Sequence, residues 1–332
     1  MKKNRITIDD VAKALGISKT TVSRAISGRG RIGEDTRERV LEYIKENNYR
    51  PSPIAKGLAE KRTYNIAVVW PIDYGYTDLP FFHRCVAGMN RVTSVQGYDI
   101  LICMVKGDDI GELERVVEYH KVDGVVLTRT LVKDPAAEYL LSCGFPFVAI
   151  GSSDDEDIVT VDNDHFRACM EITSILATHK TKKIALIGGD TNHVITQTRY
   201  SGFVGGMKKA GAEVKDELIR LDVDSERQVS EILSEYRRHG VECVICMDDM
   251  LCDMFLRCCR NEGVTVPRDI KVASFYDSRL LDNADPPVSA LHFEDMGLGQ
   301  KAAEMLLDLI EGKKVSKELI SEYDVILKGS TK

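Results

Sequence analysis

Ile6-Thr7-Ile8-Asp9-Asp10-Val11-Ala12, followed by Gly16-Ile17-Ser18-Lys19-Thr20-Thr21-Val22-Ser23-Arg24, is the stretch that decides how the chain begins. Thr7 can cap a helix whose apolar residues Ile8, Val11, Ala12 and Leu15 follow the i, i+3, i+4, i+7 stripe, and Asp9 and Asp10 suit its positive end. Gly16 stops that helix. Ser18 then caps a second one carrying Val22, Ala25 and Ile26 inward, which makes Gly16-Ile17-Ser18 the tight connection of a helix-turn-helix. A third helix is expected from about Glu34 to Asn47, with Val40, Leu41 and Ile44 closing a small core.

A helix enters the major groove only if the outward face at its N-terminal end carries side chains that reach base edges. Lys19, Thr20, Ser23 and Arg24 stand there, while Thr21, Arg29, Arg31 and Arg37 are placed to bond phosphate oxygens, with Thr7, Ser18 and Thr36 at the helix starts beside them. The charge balance points the same way. Residues 1–62 hold 15 basic and 8 acidic residues, a net +7, whereas the remaining 270 hold 30 and 44, a net −14. A small basic head on a large acidic body implies a polyanionic partner for the head alone.

These residues, together with Thr36-Arg37-x-x-Val40 and Tyr49-x-Pro51, resemble the signature of the LacI/GalR family of transcriptional regulators, with Ser27 and Ser52 where the family pattern usually has Asn. The resemblance implies a three-helix DNA-binding domain over 1–51 and a hinge helix within 52–63. In that hinge Ile54, Ala55 and Lys56 would meet the minor groove and Leu58 would wedge between base steps. A helix of about eight residues containing Gly57 is too weak to persist alone, so pairing with a partner helix on DNA would have to order it. Leu58 could instead simply be tucked against the body.

From Tyr64 onward short apolar runs alternate with amphipathic stretches: Ile66–Trp70, Ile100–Val105, Gly124–Thr128, Phe147–Ile150, Ile184–Ile187, Cys243–Met247 and Val272–Phe275. Continuous β-rich runs separated by helices indicate buried parallel strands, spaced at about 25–30 residues as right-handed βα units require. The sequence therefore predicts an α/β protein in which the head precedes a two-lobed core of doubly wound parallel sheets over 64–332. The resemblance implies that this core is periplasmic-binding-protein-like and that the chain crosses three times between the lobes. The first lobe is placed at about 64–161 and 293–322, the second at about 162–292 and 323–332.

Ligands of open α/β sheets lie at the carboxyl ends of the strands. There the resemblance implies an effector site built from Phe81 and Phe82, Arg199, Asp248, and the segment Ser274-Phe275-Tyr276-Asp277. Phe81 and Phe82 could equally serve lobe packing. Asp248 is expected to accept from ligand hydroxyls and Asp249 to cap the following helix. Tyr276 stands where the family commonly has an acid, which leaves either Tyr276 or Asp277 to take that role. Asp162, in Asp162-Asn163-Asp164-His165 at the first crossover, either touches ligand from the second lobe or belongs to a hinge.

Other chemistries find no support in the residues. Cys243-x-x-Cys246 falls on a strand, where residues three apart face opposite sides, and Cys258-Cys259 lies in a helix with no matching histidines, so no metal is expected. Gly188-Gly189 and Met296-Gly297-Leu298-Gly299 match neither a dinucleotide loop nor a phosphate loop, and no nucleophile elbow occurs. An enzyme and a bound cofactor are therefore not expected. Nine cysteines without paired spacing, no secretory signal and no apolar run of ~18 residues favour the reducing cytoplasm and no membrane. The expectation is a homodimeric repressor that binds a palindromic double-stranded operator and answers to a sugar-like small molecule. The rival is a regulator whose core answers to a partner protein.

Overall fold

The structure is a computed structural model, in which residues 6–28, 30–49, 57–58, 60–72, 80–177 and 181–332 are described. It divides into two compact units, 1–63 and 64–332.

In the first unit, α1 (Ile8–Leu15), α2 (Lys19–Ser27) and α3 (Glu34–Glu46) surround a core of Val11, Ala12, Val22, Ala25, Val40 and Tyr49. The local chemistry explains the boundaries. The Thr7 backbone N–H and hydroxyl both donate to the Asp10 carboxylate, at 2.9 and 2.7 Å, while the Thr7 oxygen accepts from the Asp10 N–H, closing a capping box. Gly16 takes φ +66°, a left-handed conformation that ends α1 at little steric cost, and the Ser18 hydroxyl accepts from the Thr21 N–H at 3.0 Å to start α2. Leu41 departs from the sequence reading. It is 45% exposed, and Val40, Tyr43 and Ile44 fill the core instead. On α3 the 3.6-residue period turns the position after Val40 about 100° away from the buried stripe.

The second unit holds two six-stranded sheets. The first is built from β1 (Asn65–Pro71), β2 (Asp99–Val105), β3 (Gly124–Leu127), β4 (Phe147–Ile150), β5 (Thr160–Asn163) and, far along the chain, β11 (Glu318–Ile320). Its order is β11-β5-β4-β3-β1-β2, all parallel. The helices α4 (Pro80–Thr93), α5 (Gly111–Glu118), α6 (Pro135–Ser142) and α12 (Asp295–Ile310) cover its faces, and two cores separate them from the sheet. The second sheet uses β6 (Ile184–Ile187), β7 (Ile219–Arg220), β8 (Cys243–Cys246), β9 (Lys271–Ser274), β10 (Ser289–His292) and β12 (Asp324–Ile326), in the order β12-β10-β9-β8-β6-β7. Only β12 runs antiparallel to its neighbour. Here α7 (His165–Leu176) and α8 (Val194–Lys209) pack on one core, and α9 (Glu226–His239), α10 (Asp249–Asn261) and the short α11 (Arg279–Asp282) on the other.

The chain crosses between the lobes after β5, after β10, and between β11 and β12. Asp162 and Asn163, read from sequence as the start of the second lobe, are instead the last residues of β5 in the first sheet. The three crossovers are tied by rings, one from each: His165 lies 4.5 Å from Phe293, and Phe293 lies 6.4 Å from Tyr323. The lobes also touch through backbone, where Val132 N–H donates to Asn192 oxygen at 2.8 Å and Val194 N–H to Thr130 oxygen at 3.2 Å. No helix among the described residues is long and apolar enough to cross a membrane.

Candidate functional site

The head presents one polar helix face. On α2 the side chains Lys19, Thr20, Ser23 and Arg24 are exposed while Val22 and Ala25 are buried, so the residues expected to meet bases share the outward side. Lys19 forms an ion pair with Asp9 at 2.5 Å, across from α1. Thr7 and Ser18 cap helices, and the Thr21 hydroxyl lies 2.8 Å from the Ser18 oxygen, so these three hydroxyls already hold the fold of the head. Gly28 ends α2 at φ +69°, and a Cβ there would lie 2.8 Å from an Arg37 guanidinium nitrogen. A Cβ at Gly30 would lie 3.2 Å from the Arg24 side chain. Arg24 and Arg37 thus gather at the C-terminal end of α2, with Arg31 exposed nearby in sequence and Thr36 half-buried. Arg29, Ile54, Ala55 and Lys56 lie outside the described residues; Leu58 is described and is 83% exposed.

The body carries a cleft of about 390 Å³ between its lobes, within the ~300–1,000 Å³ of small-molecule sites. Phe81, Phe82, Asp162, Arg199, Asp248 and Tyr276 all line it. Phe81 and Phe82 come from the start of α4, and Phe81 meets the Tyr276 ring edge-on at 6.4 Å, which makes an aromatic wall. Arg199 projects from α8, and its guanidinium donates to the Met247 oxygen at 2.6 Å while its buried Nε has no partner. Asp162 accepts from the Ser152 hydroxyl at 2.7 Å and the Asn163 N–H at 2.8 Å. Burial nevertheless pushes its carboxyl up to about 6, because desolvation outweighs those bonds. Burial likewise holds His165 well below its ordinary value, with Arg199 adding to the effect, so the imidazole is neutral.

A model of periplasmic binding proteins and the sugar binding domain of the LacI family matches residues 65–328, and one of bacterial regulatory proteins of the lacI family matches residues 7–52. The chain belongs to the LacI family. Among its curated relatives, the HTH-type transcriptional regulator MalR of Staphylococcus xylosus is 29% identical over 315 residues, 93% of each chain. Catabolite control protein A of Staphylococcus aureus is 24% identical, with 98% of this chain and 99% of that one covered. Of solved structures, the complex of the transcriptional regulator CelR with cellobiose matches with TM-score 0.73 at 27% identity, over 98% of this chain and 99% of that one. The lac repressor dimer bound to operator shares the fold at TM-score 0.79 and 21% identity, over 99% of both chains. This LacI-family protein is a DNA-binding transcriptional regulator and not an enzyme.

Within this LacI-family cleft two assignments made from sequence change. Asp248 lines the cleft, but it rather than Asp249 is the N-cap of α10, its Oδ1 accepting from the Leu251 N–H at 2.8 Å. Asp249 is 2% exposed, lines the cleft and has an Oδ1 without a partner; burial pushes its carboxyl up to about 6 against the pull of the nearby Ser278 hydroxyl. Nor is the choice between Tyr276 and Asp277 the one expected. Asp277 does not line the cleft and accepts from His292 Nδ1 at 2.9 Å, while the Tyr276 hydroxyl donates to Asp295 Oδ2 at 2.5 Å. Asp295, at the first turn of α12, went unnoticed in the sequence because β10 before it was not recognised as a strand, so its loop was not searched. Thr128, Arg129 and His193 also line the cleft and were missed; Arg129 and His193 meet at 3.2 Å from opposite lobes. Among the described residues no group of three or more His, Cys, Asp or Glu is arranged to hold a metal ion.

Proposed function

We propose that this regulator is a cytoplasmic, homodimeric repressor whose affinity for a palindromic operator is set by a sugar or related small metabolite held between the lobes of the body. Lys19, Thr20, Ser23 and Arg24 read bases. Thr21, Arg29, Arg31, Thr36 and Arg37 bond the backbone, and the helix starts at Thr7 and Ser18 approach phosphate. Ile54, Ala55, Lys56 and Leu58 enter the minor groove. Phe81, Phe82, Asp162, Arg199 and Asp248, with the aromatic face of Tyr276, surround the effector.

The observation that carries this reading is the convergence of expected ligand contacts from five separate chain segments on one cleft between two lobes. A ligand that contacts both lobes binds their alternative arrangements with unequal affinity, and only that inequality can transmit a signal. The concave shape and small volume of the cleft support a small molecule over a partner protein, since a protein needs a broad outer surface. The cellobiose bound by CelR and the sugar-binding description of the matched family support a carbohydrate in particular.

Two measurements test the two halves. Trp70, the chain's single tryptophan, lies 5.7 Å from the cleft residue Phe82 and is a built-in reporter. Its emission should change saturably when maltose, cellobiose or a related sugar is titrated into the full-length protein, and a bound sugar should change operator affinity; a silent titration across such a panel contradicts the effector. For the head, Arg24→Ala should weaken operator binding by about 1–3 kcal/mol and random DNA much less, whereas Arg31→Ala should weaken both alike and lower the salt slope by about 1. Equal losses on both DNAs for Arg24→Ala would remove its base-reading role.

A further inference from the structure

We propose that Asp249 and Asp295, facing the cleft from opposite lobes, are its paired effector acceptors, and that they select ligands rich in hydroxyl or ammonium donors while rejecting phosphorylated and carboxylated ones. The inference rests on the effector site proposed above and names its ligand class and the residues that enforce it.

Asp249 opens α10 in the second lobe, and Asp295 opens α12 in the first. They are 2% and 1% exposed, both line the cleft, and each has a buried oxygen, Oδ1, without a hydrogen-bond partner of normal geometry; beside Asp249 stands the Ser278 hydroxyl, which also lacks one. A buried acceptor left unsatisfied is costly, so such oxygens mark where a donor is missing. The other Asp295 oxygen is fixed. Oδ2 accepts from the Tyr276 hydroxyl at 2.5 Å and lies 3.4 Å from an Arg84 guanidinium nitrogen, which orients the carboxylate and leaves Oδ1 as its open position. Burial pushes both carboxyls up to about 6, the direction expected of acids short of donors.

The charge of the lining fixes the sign of the ligand. Seven aspartates line the cleft against two arginines, Arg129 and Arg199. In a partly desolvated site an added phosphate or carboxylate would meet this excess at short range, whereas hydroxyls and ammonium groups donate to it. Because Tyr276 belongs to the second lobe and its bond to Asp295 crosses to the first, a ligand on Asp295 Oδ1 acts on a carboxylate that already joins the lobes.

Isothermal titration of full-length protein with maltose, cellobiose, glucosamine, glucose 6-phosphate and gluconate tests the proposal. Saturable heat is expected from at least one of the first three and from neither anion. Asp295→Asn should weaken that ligand by at least about tenfold, and Asp249→Asn on the other lobe by a similar factor. A melting temperature near wild type for either Asn variant separates lost contact from lost fold. Binding of glucose 6-phosphate or gluconate, or unchanged affinity in both Asn variants, overturns the inference while leaving the effector site standing. Silence from all five probes overturns both.

Discussion

Val22→Asp is expected to abolish operator recognition while leaving the body folded. Val22 is fully buried in a core of six residues, and among the described residues the head has no other core to fall back on. Placing a carboxylate there removes apolar burial worth about 1.5–3 kcal/mol and leaves an unpaired charge whose burial costs several more. A unit this small has little reserve. Specific binding should drop to the level of random DNA, about 10³-fold or more. Because residues 64–332 form a separate compact unit, the main thermal transition should hardly move. Fluorescence anisotropy on operator DNA, read beside calorimetry, checks both halves. An affinity within about threefold of wild type would show that the three-helix unit is not the operator-binding element.

Gly299→Val is expected to cause the largest loss of stability in the body, about 3 kcal/mol or more. The helices α4 and α12 approach backbone to backbone. A Cβ at Gly299 would lie 2.1 Å from the Cys85 oxygen, and one at Gly88 would lie 2.0 Å from the Met296 oxygen. Neither obstacle is a flexible side-chain end, so the helices must separate, and overpacking of this kind costs typically 1–3 kcal/mol and more when backbone moves. Gly189→Ala is the control. It has open space around its Cβ position and should shift stability by well under 1 kcal/mol. Urea unfolding of the three proteins decides the matter, and a Gly299→Val midpoint equal to that of Gly189→Ala would contradict the packing argument. Since Asp295 stands one turn before Gly299, the same variant should also disturb the cleft.

The head was legible almost to the residue because its signals are local. Thr7, Gly16, Ser18 and the spacing of Val11, Ala12, Val22 and Ala25 each act within a few residues, and α1 and α2 begin and end where those residues place them. The buried strands of the body were equally plain, as continuous apolar runs. The strands missed were the ones without such a run: Thr160–Asn163 is polar in sequence yet fully buried, and β7, β10, β11 and β12 are two to four residues long. They are strands because long-range neighbours complete them, and that information is not in the segment. The cleft shows the same limit. Two adjacent aspartates, Asp248 and Asp249, are equivalent to a reader of sequence, and only the φ −145° and ψ 173° of Asp248 settle which one caps α10. The pairing of Tyr276 with Asp295 joins positions 19 apart on opposite lobes, and no spacing rule points to it. Eight of the nine cysteines are buried and Cys143 is exposed; burial pushes Cys243 and Cys259 up to about 12, which keeps these two thiols protonated and unreactive.

The most direct test of the account is selection of genomic DNA fragments at ~150 mM salt on the full-length protein, with residues 64–332 alone as the control. Enrichment of a two-fold symmetric site by the full-length protein, none by the body, and a change in that enrichment on adding the sugar that perturbs Trp70 is the predicted result. Equal behaviour of the two proteins, with no site enriched by either in the presence or absence of sugar, would contradict it.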